Sequence, residues 1–309
     1  MSIRRVGIVG SGLMASGIAE LVSKAGCEVV VVSRSQSSGE MCRTKIEKSL
    51  ARQVAKGKLS EADQDAVLGR ITTATGLPSL EFCELVIESV VEDLEIKKRL
   101  FHDLGAVCSE STILATNTST LPVIELAVCV ARADRVIGMH FFNPAPVMSL
   151  VEIIPALTTS EETVQAAWDF ATACGKEPVR VKDQTGFIVN ALLFPYLNAA
   201  VTMLEHGVAS KEDIDAAMRG GCGFPLGPFE LLDLVGLDTS LAILERLHEE
   251  RRDPATVPAP LLRRMVTARQ LGRKTGGGFY AYPTSPQAPA GQQAPAQGKA
   301  AASSSGKAS

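Results

Sequence analysis

The chain has 309 residues, of which 46% are hydrophobic and 21% charged, with a formal net charge of -3 and a pI near 5.9. This composition is typical of a globular protein and excludes a fibrous or fully disordered chain. The weak negative charge, without a Lys/Arg block, argues against nucleic-acid binding. No apolar run approaches the roughly 20 residues of a membrane helix. We therefore expect a cytoplasmic protein without nucleic-acid or membrane partners.

The seven cysteines are scattered singly along the chain. Neither a C-x-x-C pair nor a paired histidine spacing indicates a zinc site. We predict that the cysteines are reduced, that most of them lie in the core, and that no metal is bound.

From residue 3 to about residue 182, short β-branched runs alternate with longer helical patterns, which is typical of βαβ units around a parallel sheet. The predicted strands are residues 5–9, 28–33, 71–74, 85–88, 112–115, 136–140, 150–154 and 178–181. Residues 40–68 have a polar helical pattern, which predicts a helical hairpin that projects beyond the sheet. Residues 1–182 are thus predicted to form a Rossmann-type, doubly wound α/β domain with a mainly parallel sheet and this hairpin as an insertion.

After Asp183 the strand pattern ends, and helical periodicity covers residues 187–205, 210–219, 228–250 and 260–271. We therefore predict that residues 183–282 form an all-α C-terminal domain. Residues 283–309 consist mainly of Ala, Pro, Gln, Ser and Gly. Such a segment buries too little apolar surface to offset its ordering entropy, so it is predicted to be a disordered tail.

A glycine-rich string, Gly10-Ser11-Gly12-Leu13-Met14-Ala15, directly follows the first predicted strand and opens an amphipathic helix. In this context the glycine pattern indicates dinucleotide binding. Gly10 permits the tight turn, and Gly12 lets the backbone approach a pyrophosphate, which the helix N-terminus then stabilises. We predict that Gly10, Ser11, Gly12, Leu13 and Met14 bind the cofactor.

The end of the second predicted strand lacks the acid that NAD-selective folds place there to accept the ribose hydroxyls. The chain has Ser33-Arg34-Ser35 instead. Arg34 can stack on adenine and, with the neighbouring serines, hydrogen-bond a 2′-phosphate that a carboxylate would repel. Ser33 and Arg34 therefore favour NADP somewhat, with NAD as the alternative.

An imidazole, a carboxamide and a carboxylate surround the end of the sixth predicted strand, in Met139-His140-Phe141-Phe142-Asn143-Pro144 and at Glu152. His140 ends a strand at the edge where open α/β sheets bind their ligands. Ser119 follows the fifth predicted strand and should emerge at the same edge. Asn190 lies on the first turns of the helical domain, which should place it facing the cleft. Together these groups can move a proton.

These strings resemble the short-chain 3-hydroxyacyl-CoA dehydrogenases, particularly the bacterial 3-hydroxybutyryl-CoA dehydrogenases. The resemblance runs from about residue 3 to residue 282. It includes Gly223-Phe224-Pro225-Leu226-Gly227-Pro228-Phe229-Glu230 and Lys274-Thr275-Gly276-Gly277-Gly278-Phe279-Tyr280. The chain departs from the family at Thr185, where relatives commonly have Pro, and at Ala191, where a basic residue follows the Asn. Neither departure removes a chemical group named above.

The resemblance implies reversible oxidation of an L-3-hydroxyacyl-CoA, 3-hydroxybutyryl-CoA in particular, with hydride transfer to NAD(P)⁺. It implies that His140 takes the hydroxyl proton, that Glu152 orients the imidazole, and that Ser119 and Asn190 hold the C3 oxygen. It also implies a homodimer through the helical domain. The remaining implied contacts are to the cofactor, from Ser89, Glu92, Lys97, Asn117, Ser119 and Asn143, and to the CoA nucleotide, from Ser49 and Lys56 in the hairpin.

Three alternatives remain open from the sequence. The same redox step could act on a 3-hydroxyacyl group carried by an acyl carrier protein. It could also act on a free hydroxy acid such as gulonate. A non-enzymatic alternative is a nucleotide-binding protein like the lens crystallins that resemble this family, although Ser119, His140, Glu152 and Asn190 argue against it.

Overall fold

The computed structural model describes residues 3–283, which contain one eight-stranded sheet. The strands are β1 (Arg5–Val9), β2 (Glu28–Val32), β3 (Ile71–Ala74), β4 (Leu85–Glu88), β5 (Ile113–Thr116), β6 (Val136–Phe141), β7 (Leu150–Pro155) and β8 (Glu177–Arg180). Their order in the sheet is β3-β2-β1-β4-β5-β6-β7-β8. Every predicted strand is present within one residue of its predicted ends.

All neighbouring strands are parallel except β6 and β7, which are antiparallel. Parallel strands need a crossover of a dozen or more residues, whereas the connection between β6 and β7 is short. The antiparallel register places His140 directly opposite Glu152. Residues that the sequence separates by a turn therefore become neighbours on one face of the sheet.

Helices cover both faces of the sheet, which confirms the doubly wound α/β class. These helices are α1 (Leu13–Lys24), α2 (Gln36–Ala55), α3 (Glu61–Gly69), α4 (Leu94–Val107), α5 (Val123–Ala127) and α6 (Glu161–Ala173). Helices α1, α2 and α6 bury apolar side chains against one face, and α4 and α5 do so against the other. Most strands between them, such as Glu28–Val32 and Leu85–Glu88, are nearly continuous apolar runs, as expected for strands buried on both faces.

The predicted helical hairpin is formed by α2 and α3, but it does not project clear of the sheet. Helix α2 begins four residues earlier than predicted, at Gln36, and packs along α1 and β3. Cys42, Ile46 and Leu50 on its inner face are buried in the core. The polar pattern describes its outer face only, and three apolar residues at helical spacing are enough to attach it.

The C-terminal part of the described chain is helical, with its own core of apolar side chains. Its helices are α7 (Val189–Glu205), α8 (Lys211–Cys222), α9 (Pro228–Val235), α10 (Leu237–Arg251) and α11 (Pro260–Thr267). The single helix predicted over residues 228–250 is wrong, because Gly236 adopts a φ of 101° and separates α9 from α10. The predicted tail, apart from Pro283, lies outside the described residues.

Buried carboxylates explain the two C-terminal sequence signatures. Asp215 accepts hydrogen bonds from the backbone N–H of Phe229 and Glu230 at the start of α9. Asp233 accepts hydrogen bonds from the backbone N–H groups of Phe279 and Tyr280 and from the Tyr282 hydroxyl. These contacts attach the last described segment to the helical core. Among the helices of residues 3–283, none combines the length and hydrophobicity that crossing a bilayer requires.

Candidate active site

Most of the predicted site residues lie at one edge of the sheet, where the parallel strands end. Gly10–Met14 follow β1, Ser33 and Arg34 follow β2, Ser89 and Glu92 follow β4, Asn117 and Ser119 follow β5, and His140 and Asn143 lie at and beyond the end of β6. The strand order reverses between β1 and β4, which is the position where open α/β sheets bind their ligands. Ser49 and Lys56 lie apart on α2 and make no described hydrogen bond with the residues around His140.

The glycine turn after β1 fits a dinucleotide. Gly10 has a φ of 129°, and a Cβ there would overlap the carbonyl oxygen of Ser89. Gly12 is the N-cap of α1 without a side-chain cap, and a Cβ there would meet no described atom within 4 Å. The open space beside Gly12 and the uncapped N–H groups of α1 are the two features that a pyrophosphate requires.

The residues after β2 have different surroundings. Ser33 is 5% exposed, and its hydroxyl donates to the carbonyl oxygen of Ser35. The Ser35 hydroxyl caps α2 by accepting from the backbone N–H of Ser38. Arg34 is exposed and makes no hydrogen bond or ion pair with other residues in 3–283. Of the three residues, Arg34 is therefore the one whose side chain is free to meet a ligand.

His140 and Glu152 form a buried pair at the centre of the site. His140 is 6% exposed and Glu152 is fully buried, and 2.7 Å separates Nδ1 of the imidazole from Oε2 of the carboxylate. Because a carboxylate only accepts hydrogen bonds, Nδ1 must carry the proton. The neutral ring therefore has its free lone pair on Nε2, which is the state that a general base needs.

The second oxygen of Glu152 binds the helical domain. Oε1 accepts hydrogen bonds from the backbone N–H groups of Ile188 and Val189, at 2.9 and 3.0 Å. These groups lie at the start of α7, where the helix dipole also favours a negative charge. The orientation of His140 consequently depends on both halves of the chain.

Two aromatic rings flank the imidazole. The ring centroids of Phe142 and Phe187 lie 4.5 and 5.5 Å from that of His140. Phe187 has a φ of 48°, an unfavourable conformation for a residue with a side chain. This conformation lies in the connection between β8 and α7. The rings give the imidazole apolar walls that limit its rotation and its contact with water.

Ser119 and Asn190 approach each other across the two domains. The Asn190 amide donates to the backbone carbonyl of Ser119 at 3.4 Å, and Asn190 is 7% exposed. Ser119 in turn donates its backbone N–H and its hydroxyl to one oxygen of Glu92, at 2.8 and 3.3 Å. The structure thus brings together Ser119, Asn190 and Glu92.

Glu92 is the exposed end of a network that continues into the protein. Burial raises the pKa of Glu92, but the Lys97 ammonium and hydrogen bonds from Thr118 and Ser119 outweigh it and hold the pKa below its ordinary value of 4.5. Lys97 is 1% exposed, and its ammonium contacts both oxygens of Glu88. Lys97 can therefore influence a cofactor through Glu92 rather than by direct contact.

The loops around the imidazole are held by polar side chains. Asn117 accepts the backbone N–H of Phe141 on its amide oxygen at 2.8 Å, which ties the end of β5 to β6. Lys176 is 7% exposed and donates to the carbonyl oxygens of Ala145 and Met148, at 2.7 and 2.6 Å. Burial lowers the pKa of Lys176. Asn143 itself is exposed on this turn.

The connection to α7 accommodates the departure at Thr185. The Thr185 hydroxyl donates to Glu250, and its carbonyl accepts from Arg251 at 2.9 Å. Just before it, Asp183 caps α5 through the backbone N–H groups of Val123 and Ile124, both at 2.8 Å. A threonine here thus supplies a donor that proline lacks.

Three buried or capping residues of the site were not predicted from the sequence: Glu88, Lys176 and Asp183. Glu88 had a signal, since an acid that ends the apolar strand Leu85–Glu88 must find a buried partner. Lys176 and Asp183 had none, because their partners are backbone groups of distant turns.

Family models of the 3-hydroxyacyl-CoA dehydrogenases match nearly the whole described chain. The model of the NAD binding domain matches residues 5–184, and that of the C-terminal domain matches residues 186–282. These two matches meet between β8 and α7, where the sheet gives way to helices.

Individual relatives agree with these matches. The chain is 46% identical over 283 residues to a 3-hydroxybutyryl-CoA dehydrogenase of Mycobacterium tuberculosis, covering 91% of this chain and 99% of the relative. It is 44% identical over 288 residues to the mitochondrial hydroxyacyl-coenzyme A dehydrogenase of Homo sapiens, covering 91% of each. The solved (S)-3-hydroxybutyryl-CoA dehydrogenase from Ralstonia eutropha superposes with a TM-score of 0.89 at 44% identity, covering 92% of this chain and all of that one.

Proposed function

Because the chain belongs to the 3-hydroxyacyl-CoA dehydrogenase family, we propose that it interconverts a short L-3-hydroxyacyl-CoA, 3-hydroxybutyryl-CoA foremost, and the 3-ketoacyl-CoA. The observation that carries this proposal is the buried His140–Glu152 pair, in which Nδ1 is held at 2.7 Å from the carboxylate and Nε2 is left free. A nicotinamide dinucleotide bound at Gly10–Met14 supplies the hydride acceptor. The protein residues supply the proton transfer and the positioning.

His140 accepts the C3 hydroxyl proton on Nε2 during oxidation and returns it during reduction. Glu152 stabilises the imidazolium that forms, because its charge lies against Nδ1. Ser119 and Asn190 hydrogen-bond the C3 oxygen and hold it beside the base, which lowers the cost of the charge that develops there. The walls of Phe142 and Phe187 keep the imidazole in this orientation.

The function is tested by acetoacetyl-CoA-dependent oxidation of the reduced cofactor, followed by its absorbance. We expect His140→Ala to lose about 10²- to 10⁴-fold in kcat, as for a general base, with cofactor affinity unchanged. His102→Ala is the matched control, because His102 is exposed on α4 with a side-chain exposure of 77%. An active wild-type enzyme with a fully active His140→Ala variant contradicts the assigned base. Absence of turnover with every CoA thioester contradicts the substrate class, and turnover of a carrier-protein thioester or gulonate supports the alternatives.

We propose NADP as the preferred cofactor, since no acid follows β2 and Arg34 is exposed there. The 2′-phosphate would be bound mainly by this guanidinium, because the Ser33 hydroxyl already donates to Ser35. The test is the ratio of kcat/KM with NADPH to that with NADH. We expect Arg34→Ala to lower this ratio, with Arg99→Ala, an exposed arginine of α4, as the control. An unchanged ratio contradicts the role of Arg34.

The basic face of α2 supports binding of the CoA nucleotide. Lys56 is exposed at the end of α2, and Ser49 is half-buried two helical turns before it. The ammonium of Lys45 donates to the carbonyl oxygen of Ser11 at 3.3 Å. We propose that Ser49 and Lys56 contact the CoA nucleotide, whose phosphates the lysines attract. A raised KM for acetoacetyl-CoA in Lys56→Ala, with unchanged KM for the cofactor, tests this assignment.

We also propose a homodimer through the helical domain. Helices α7 and α9 pack together and leave Leu192 and Leu234 exposed, at 71% and 50%. Exposed apolar residues on adjacent helices are typical of an interface. Sedimentation of Leu192→Glu should give a monomer, whereas Leu157→Glu, at a 94% exposed site after β7, should not change the mass. A monomeric wild-type protein contradicts the proposal.

A further inference from the structure

We propose that Glu88 is a positioning residue for the reaction, which acts through Lys97 and Glu92 to hold the turn of residues 118–120. This inference rests on the proposed function, because there Ser119 binds the C3 oxygen. This route is a series of side-chain contacts that begins at Glu88, at the end of β4, and ends at the Ser119 hydroxyl. Its first two residues, Glu88 and Lys97, are buried and do not reach the cleft.

Glu88 is an anchor that is buried from solvent. It is the last residue of β4 and is 0% exposed. One carboxylate oxygen accepts from the backbone N–H of Val90 at 2.7 Å, and the other accepts from the Thr116 hydroxyl at 2.7 Å. The Lys97 ammonium donates to both oxygens, at 2.7 and 2.8 Å. A charge this deep needs its counter-ion, so Glu88 and Lys97 constrain each other.

Lys97 transmits this constraint to Glu92. Its ammonium lies 3.3 Å from Oε2 of Glu92, while it keeps both contacts with Glu88. Two carboxylates therefore share one ammonium, and the trio carries one net negative charge. Glu92 is the member that reaches solvent, with a side-chain exposure of 35%.

Glu92 holds the turn with its other oxygen. Oε1 accepts from the Thr118 hydroxyl at 2.6 Å and from the backbone N–H groups of Ser119 and Thr120, at 2.8 and 3.1 Å. It also lies 3.3 Å from the Ser119 hydroxyl. Glu92 is thus restrained at one oxygen by Lys97 and at the other by the turn.

Neutralising Glu88 would redistribute these contacts. With glutamine at position 88, Glu92 becomes the only carboxylate that Lys97 contacts among the described residues. Glu92 is then drawn toward the ammonium and away from the turn. Ser119 would lose its backbone restraint, and a shift of about 1 Å in a positioning group can cost on the order of 10²-fold in rate.

The test is a double-mutant cycle between Glu88→Gln and Ser119→Ala, measured as kcat/KM for acetoacetyl-CoA. We expect Glu88→Gln to lose about 10- to 100-fold when Ser119 is present, by the misplacement above. In the Ser119→Ala background the same substitution should lose less than about threefold, because no hydroxyl remains to be misplaced. Equal losses in both backgrounds overturn the proposal, since a merely structural role predicts them.

Two further variants complete the design. Glu95→Gln is the matched control, because Glu95 lies on α4, the helix that carries Lys97, and its side chain is 69% exposed. If Glu88→Gln does not fold, Glu92→Gln replaces it in the cycle, and equal losses for this variant in the two backgrounds also overturn the route. Full activity of Ser119→Ala alone instead contradicts the proposed role of Ser119 in the reaction, so the two failures are distinguishable.

Discussion

Replacing Glu152 by Gln changes one charged oxygen into an amide group while keeping the size of the side chain. The glutamine must present its oxygen either to the two backbone N–H groups of Ile188 and Val189 or to Nδ1 of His140. In the second orientation the amide NH₂ faces two buried N–H donors. Each unsatisfied donor costs about 1 to 3 kcal/mol, so this orientation is disfavoured by roughly 2 to 6 kcal/mol.

The favoured orientation turns the amide NH₂ toward His140. Nδ1 must then accept, the ring proton moves to Nε2, and the base is in the wrong tautomer. A penalty of roughly 2 to 6 kcal/mol on the correct tautomer corresponds to a loss of about 30-fold to about 3 × 10⁴-fold in kcat. Cofactor affinity should not change, because Glu152 contacts only His140 and the start of α7 among the described residues.

The assay is steady-state reduction of acetoacetyl-CoA together with a titration of the reduced cofactor by fluorescence. Glu162→Gln is the control, because this carboxylate of α6 is 72% exposed and pairs with Arg135, which is not a residue of the candidate site. A Glu152→Gln variant that retains a third or more of the wild-type kcat would refute the tautomer argument. So would a loss that is matched by equal weakening of cofactor binding.

Three other perturbations test the framework of the site. Gly12→Ala should leave thermal stability unchanged but weaken cofactor binding on the order of tenfold. Gly10→Ala should lower both thermal stability and cofactor affinity, because only Gly10 has a positive φ and no space for a Cβ. Equal melting temperatures of the two variants would contradict this. Lys176→Met should lower the free energy of unfolding in urea by about 1 to 3 kcal/mol, since the buried carbonyl oxygen of Ala145 loses its donor together with the part-buried one of Met148, and an unchanged free energy would contradict it. Burial and the charge of Asp233 raise the pKa of Tyr282 from 10.0 to about 12, so stability present below pH 10.0 should be lost as the pH rises toward about 12. In Tyr282→Phe the free energy of unfolding should fall less over this pH range than in the wild type. An equal fall in both proteins would show that other groups produce it.

The fold and the proximity of His140 and Glu152 were predictable because local pattern and tertiary structure agree there. Runs such as Val29–Val32 alternate with helical segments, and this pattern predicted every strand. His140 and Glu152 were predicted because both lie around the end of one predicted strand, and the family resemblance implied that Glu152 orients the imidazole. Their exact register in the sheet, with the two residues directly opposite, required the structure.

The remaining features depend on contacts that the sequence does not encode locally. The burial of Lys97 follows from a partner nine residues earlier, across the loop between β4 and α4, while its own sequence context is typical of a charged helix start. The inner face of α2 depends on three apolar residues within a polar pattern. The break at Gly236 did have a signal, since glycine in the middle of a helical pattern costs stability, but the periodicity on both sides concealed it.

The contact between Glu152 and the start of α7 has a consequence for how such chains can diversify. The helical domain contributes two main-chain N–H groups to this carboxylate, and every non-proline residue carries such a group. Amino-acid changes throughout α7 and the helices after it therefore leave the partner of the base intact, provided that the helix begins at the same place. A recombined chain that keeps Phe187 and Asn190 could exchange the rest of its helical half without any compensating substitution at Glu152.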